Sequence, residues 1–241
     1  MTPTTTVTRE EIFKAFSTLI ETHSSLQLHN IFRGVPVNFP ALVTSVSQDT
    51  IALKVHCLQS VVISIEKRTY IKSDLLPIFL RAFPKTVNFN SQEVVLTHFS
   101  SAGKSFVERS YLRVQPEEPF NVGILSGESL ITGTLADISI RGAGIFAFGA
   151  YIPEQISVDL SGNSRVGLDF SLPGMEKSIH VVGTITNITR EKGTMMTRIG
   201  VQTSPEPDVE TVLMEYIDRR RADILDELQR IYQRTCPSKK V

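Results

Sequence analysis

Tryptophan is absent from the 241 residues, cysteine occurs twice, and the formal charge sums to zero. Each shortage excludes something. With aromatics at only 7%, a general stacking platform for single-stranded nucleic acid lacks its usual material. Twenty-five basic residues cancel twenty-five acidic ones. No whole-chain field therefore favours nucleic acid or an anionic membrane, and any anion site has to be a local cluster. Cys57 and Cys236 form neither a metal spacing nor a disulfide framework, which fits a reducing compartment and a cytoplasmic location. Apolar runs such as "SVVISI" and "LLPIFL" fall far short of the roughly 20 residues of a membrane helix, so no membrane insertion is expected. The opening "MTPTTTVTREE" has no basic region followed by an apolar stretch, unlike a secretory signal.

Catalytic patterns are missing as well. His23, His29, His56, His98 and His180 are scattered without HxxxH or HExxH spacing, so neither a metal nor another cofactor is expected. There is no GxSxG elbow, Walker loop or dinucleotide fingerprint. "RGAGIF" has two glycines but lacks a third, and the residues after it read as a strand where a Rossmann turn needs a helix. The chain does not read as an enzyme.

What is present is mostly β texture. Thr8 with Glu11 forms a capping box ahead of Ile12, Phe13, Phe16, Leu19 and Ile20 at helical spacing, which predicts a helix ending near His23. From about residue 26 to 100 the chain carries short alternating runs: "LHNIFRG", "VNFPALVTSV", "TIALKVH", "SVVISI", "TYIKS", "TVNFNS" and "EVVLTHF". "SDLLPIFLRAFP" interrupts them as a short helix or a loop. Such runs suggest a small barrel or sandwich. "SSAGKSF" is small and polar and reads as a linker. A second β-rich stretch then carries "FNVGIL", "LITGTLADISI", "AGIFAF", "ISVDL", "RVGLDFSL", "SIHVVGTITNI" and "MTRIGVQT". The two stretches are not copies of each other, so no internal repeat is read. After "SPEPD", with Asp208 as a candidate N-cap, an apolar stripe from Val209 to Tyr232 predicts a long amphipathic helix. That helix either folds back on a barrel or forms a homo-oligomer seam.

The expected fold class is mainly β. A small barrel-like domain with a leading helix covers residues 1–99, a linker 100–107, a second barrel 108–207, and a long helix with its tail 208–241.

Chemistry concentrates at one place. In "ERSYLRVQP" Arg109 and Arg113 stand four residues apart, and 24 residues after Arg113 comes "DISIRGAG", with Asp137, Ser139, Gly142 and Gly144. Guanidinium groups fork onto anions such as phosphates and stack on flat rings. An ionised Asp137 is acceptor-only. Ser139 can bond a phosphate or the turn backbone, and Asp137 with Ser139 can equally cap a local turn. Gly142 suits a close approach or a positive φ.

In this order and context the two patterns resemble the PilZ domain signature, RxxxR followed by (D/N)xSxxG. "RVQPEEPFNV", "TGTLADISIRGAGIFA" and "HVVGTITNITREKGTMMTRIGVQT" resemble its first strand, its second strand with the turn, and its late hairpin. The resemblance spans about residues 107 to 204. It implies a six-stranded β-barrel that binds cyclic di-GMP through Arg109, Arg113, Asp137, Ser139, Gly142 and Gly144. Glu108 stands where some relatives place another arginine, which implies a single nucleotide per site. A β-rich domain ahead of such a barrel resembles the flagellar-brake type of PilZ protein. That layout implies a receptor in which the ligand draws the linker arginines onto the barrel, rearranges the domains and so controls a downstream protein, in motility, secretion or a similar process. The alternative is a PilZ-like scaffold that binds no nucleotide and acts through protein contacts or oligomerisation.

Overall fold

The computed structural model describes residues 7–102, 111–148, 164–174, 178–190, 193 and 196–236. It contains two compact units, Met1–Ser110 with Ile224–Val241, and Tyr111–Asp223. Each unit is built on a closed six-stranded antiparallel barrel. The mainly β class, the leading helix and the long C-terminal helix agree with the sequence reading.

In the first unit, helix α1 (Arg9–Glu21) starts at the expected capping box, with the Thr8 hydroxyl accepting from the Glu11 N–H and the Glu11 carboxylate accepting from the Thr8 N–H. Its stripe of Ile12, Ala15, Phe16 and Leu19 is buried in the barrel core, and Phe13 meets Phe99 edge-on, ring centroids 5.5 Å apart. The strands are β1 (Ser25–Phe32), β2 (Val35–Val46), β3 (Thr50–Lys54), β4 (Thr69–Lys72), β5 (Leu80–Asn88) and β6 (Glu93–Ser101). They pair in the order β1-β2-β3-β6-β5-β4 and close through β1 and β4. Arg33 (φ 48°) and Gly34 (φ 90°) make the β1–β2 turn, the two-residue hairpin that needs both central residues left-handed.

Two stretches depart from the sequence reading. "SVVISI" is not a strand. It lies in helix α2 (Cys57–Glu66), whose N-cap His56 accepts from the Leu58 N–H through its side chain. Val61, Val62 and Ile63 are all buried, and three buried residues in succession have no half-exposed strand face to alternate with. A buried polar group fixes α2 on the barrel: Asn30 Oδ1 accepts from Gln59 Nε2 and from the Thr69 hydroxyl, each at 2.7 Å. In "SDLLPIFLRAFP" the second half enters β5, with register shifts on either side of Phe83 and Pro84. Such breaks let a proline sit in a ladder.

In the second unit the strands are β7 (Asn121–Ser126), β8 (Ser129–Ser139), β9 (Gly142–Phe148), β10 (Arg165–Ser171), β11 (Ser178–Arg190) and β12 (Met196–Thr203). Their order is β7-β8-β9-β12-β11-β10, closed by β7 and β10. Ile124, Leu135, Ile145, Leu168, Val181 and Ile199 point into its core. "ISVDL" lies outside the described residues.

Helix α3 (Pro207–Thr235) has Pro207 in its first turn, where a missing N–H costs nothing. Asp208 is thus inside the helix and not its cap. Its residues divide between the units after Asp223. Leu213, Tyr216, Ile217, Ile224 and Leu228 of its apolar stripe are buried. No helix among the described residues is long and apolar enough to cross a membrane.

Candidate functional site

The site begins with a break in register. Along β8 the inward positions are Ile131, Gly133 and Leu135, and strict alternation would send Asp137 into the core next. A bulge intervenes: Leu135 pairs with Ile145, but Asp137 pairs with Gly144. One extra residue reverses the parity, so Ile138 takes the inward place and Asp137 and Ser139 face outward. Gly144 on β9 makes room, since a Cβ there would lie 2.8 Å from Asp137 Oδ2.

Arg113 arrives by a short backbone clamp. Val114 exchanges two hydrogen bonds with Ile138, at 2.9 and 3.0 Å, and thereby sets Arg113 beside Asp137. Arg113 Nη1 donates to Asp137 Oδ1 at 3.3 Å. The Asp137 side chain is 9% exposed and that of Arg113 37%, so the carboxylate is fixed while much of the guanidinium still faces solvent.

The turn is tied down separately. The Ser139 hydroxyl donates to the Gly142 carbonyl at 3.1 Å, which uses it for the turn backbone. Gly142 does not have the positive φ suggested from sequence; instead a Cβ would sit 2.7 Å from the Val201 carbonyl oxygen on β12. Its small size serves strand packing. Arg141, in the same turn, pairs with Glu210 of α3 at 3.1 Å, and Arg220 of α3 donates through Nε to the Gln115 carbonyl at 2.9 Å. Both motif segments are therefore anchored to the first half of α3. Burial pushes the Tyr216 hydroxyl's pKa up on that helix, and the nearby Arg220 and Arg219 oppose the shift.

One residue escaped the sequence reading. Arg198 on β12 donates through Nη2 to Asp137 Oδ2 and lies with Cζ 5.8 Å from the Phe146 ring centroid. Asp137 thus has a guanidinium on each oxygen. Two cations and one anion leave a local charge of about +1, on a chain with none overall. The alternation of "MTRIGVQT" does place Arg198 outward, between inward Thr197 and Ile199. What the sequence does not display is that β12 runs next to β9, two strands from Asp137.

Of the expected residues, Arg113, Asp137, Ser139, Gly142 and Gly144 come together on the outer face of β8 and β9. Arg109 and Glu108 lie outside the described residues. Among those residues no group of three or more His, Cys, Asp or Glu side chains is gathered as a metal would require.

Residues 108–219 match the family model of the PilZ domain. No curated protein matches the chain. Among solved structures it is similar to a MrkH–c-di-GMP complex from K. pneumonia, at 12% identity over 92% of this chain and 96% of that one, with a TM-score of 0.43. It is also similar to YcgR in complex with c-di-GMP from Escherichia coli, at 13% identity over 91% and 93%, TM-score 0.41. A third is the inhibitor of motility MotI/DgrA from Bacillus subtilis, at 13% identity over 83% and 96%, TM-score 0.40.

Proposed function

We propose that residues 108–219, which match the PilZ family model, form a PilZ domain and that the protein is a cyclic di-GMP receptor and not an enzyme. The carrying observation is the Asp137 carboxylate, turned outward by a bulge and framed by Arg113 and Arg198. An acceptor-only group between two planar cations suits a ligand with guanine donor edges and two phosphates. Arg109 and Arg113 take the phosphates and the O6/N7 edge of a base, Asp137 takes the N1–H and N2–H edge, and Ser139, Gly142 and Gly144 shape the turn beneath. Glu108 opposes a second dianionic ligand, so one nucleotide occupies each site.

The ligand acts by drawing Arg109 onto the barrel, where Arg113 already stands beside Asp137, which changes the relation between the two units and creates a surface for a downstream protein. It shifts that equilibrium only by its differential affinity for the two arrangements. The two free cysteines, Cys57 and Cys236, suit work in a reducing cytoplasm.

Calorimetry with cyclic di-GMP on the wild type, Arg113→Ala and Asp137→Ala tests the site. Saturable binding that both substitutions reduce by about 100-fold or more is the expected result; wild-type heats equal to buffer dilution would favour a nucleotide-free scaffold. Small-angle scattering during the same titration tests the switch, and tight binding without a change in dimensions would refute it.

A further inference from the structure

The bulges of the second barrel align one outward row across four strands. Asp137 on β8 faces Gly144 on β9, Gly144 faces Gly200 on β12, and Gly200 faces Asn187 on β11. The two middle positions have no side chain. For Gly144 the Asp137 carboxylate explains why. For Gly200 nothing does: a Cβ there would meet the Thr186 hydroxyl at 3.5 Å and Asn187 Cβ at 3.6 Å, ordinary contact distances, and its φ is not left-handed. Glycine weakens a strand interior, and where packing does not require it, it marks the close approach of something else.

Arg198 stands two residues before Gly200 on the same face. Its side chain is 46% exposed, and it reaches from Asp137 to the Phe146 ring. Arg198 and Phe146, paired across β12 and β9, wall the bare patch along one side, while Asp137 closes one end.

We propose that Gly200 and Arg198 are specificity-determining residues of this site: the Gly144–Gly200 patch seats a flat purine of the ligand, and Arg198 aims the Asp137 carboxylate along it. The inference rests on the cyclic di-GMP reading above. Guanine presents N1–H and N2–H donors to that carboxylate. Adenine presents an unprotonated N1 in the same place, a lone pair facing the carboxylate instead of a donor. A site built around a hydrogen bond rejects the analogue that cannot make it. A side chain at Gly200 would occupy the volume of the ring without disturbing the barrel.

The test is calorimetry with cyclic di-GMP and cyclic di-AMP on the wild type, Gly200→Val, Arg198→Met and Arg198→Lys, with a thermal melt of each. The wild type binds cyclic di-GMP at least about 100-fold more tightly than cyclic di-AMP. Gly200→Val melts at or above the wild-type temperature, since valine favours a strand, yet loses about 100-fold or more of its affinity. Arg198→Met loses about tenfold and narrows the preference for guanine, and Arg198→Lys recovers part of both. If valine lowers the melting temperature, Gly200→Ala takes its place, with about a tenfold loss expected. Wild-type binding that survives unchanged at Gly200 and Arg198 overturns this inference alone. No wild-type binding overturns the receptor reading and this inference with it.

Discussion

The two barrels have the same connectivity. Counting from the first strand of each, both run 1-2-3-6-5-4. Two of their irregularities coincide as well. The shift between Val43 and Ser45 on β2 matches that between Leu135 and Asp137 on β8, and the shift between Pro84 and Thr86 on β5 matches that between Ile185 and Asn187 on β11. In the first barrel the resulting outward row reads Ser45, Ala52, Val95, Thr86. In the second it reads Asp137, Gly144, Gly200, Asn187. The backbone device is common to both, but only one row carries a carboxylate framed by arginines and a bare centre. Topology provides an outward-facing row, and the chemistry depends on what stands in it.

If the cores are equivalent, damage to them should cost the same. Leu28 on β1 pairs with Ile71 on β4, and Ile124 on β7 pairs with Leu168 on β10; all four are fully buried. Leu28→Ala and Ile124→Ala are each expected to destabilise by about 3 kcal/mol, read by denaturant unfolding. A cost near zero for either would break the equivalence.

If the rows differ in function, importing the first barrel's residue into the second should remove it. Asp137→Ser is expected to weaken cyclic di-GMP by about 100-fold in a binding titration. Stability should change by no more than about 1 kcal/mol, because the two arginines left behind reach solvent. Undiminished affinity would mean that the row is not the site.

The contrast also shows what the sequence could disclose. Capping box, strand texture and the DISIRGAG turn are local, and each was legible from neighbours in the chain. The α2 helix was not, because an apolar run of six residues fits a buried strand or a buried helix equally well. What decides is His56 at its cap and the Asn30 side chain waiting beneath Gln59, one of them 29 residues away. The shared connectivity was hidden for the same reason: it lies in which strands are neighbours, while the two sequences have no common text. The bulge did leave a trace, since Leu135 and Ile138 are three apart where alternation calls for two. Arg198 left none that could be connected to Asp137 without knowing that β12 runs beside β9.

A smaller effect tests the feature peculiar to the first barrel. Thr69→Val removes a hydroxyl that donates to Asn30 Oδ1 inside the α2 contact. Gln59 still donates to the same oxygen, so the expected cost is about 1 kcal/mol, with cyclic di-GMP affinity unchanged. A change in affinity would show that the α2 face communicates with the nucleotide site.

The smallest effect concerns acid. Burial holds the pKa of His29 below the ordinary histidine value, with the neighbouring Lys72 adding to the shift, and burial does the same for His56. Both are in the first unit, and His56 in its neutral form accepts the Leu58 N–H that starts α2. The unfolded chain takes up these protons near about pH 6.5, before the folded one does. Stability is therefore fully present above that value and is lost as the pH falls through it toward the depressed folded values. Protonation of His56 Nδ1 also removes the helix cap's acceptor. Amides of β1 and α2 should exchange faster, relative to the strands of the second barrel, as the pH is lowered from about 7.5 to 5.5, after correction for intrinsic exchange rates. Asparagine accepts at an N-cap without titrating, so His56→Asn combined with His29→Gln should flatten the dependence, and a slope that survives in this variant would assign the acid sensitivity to other groups.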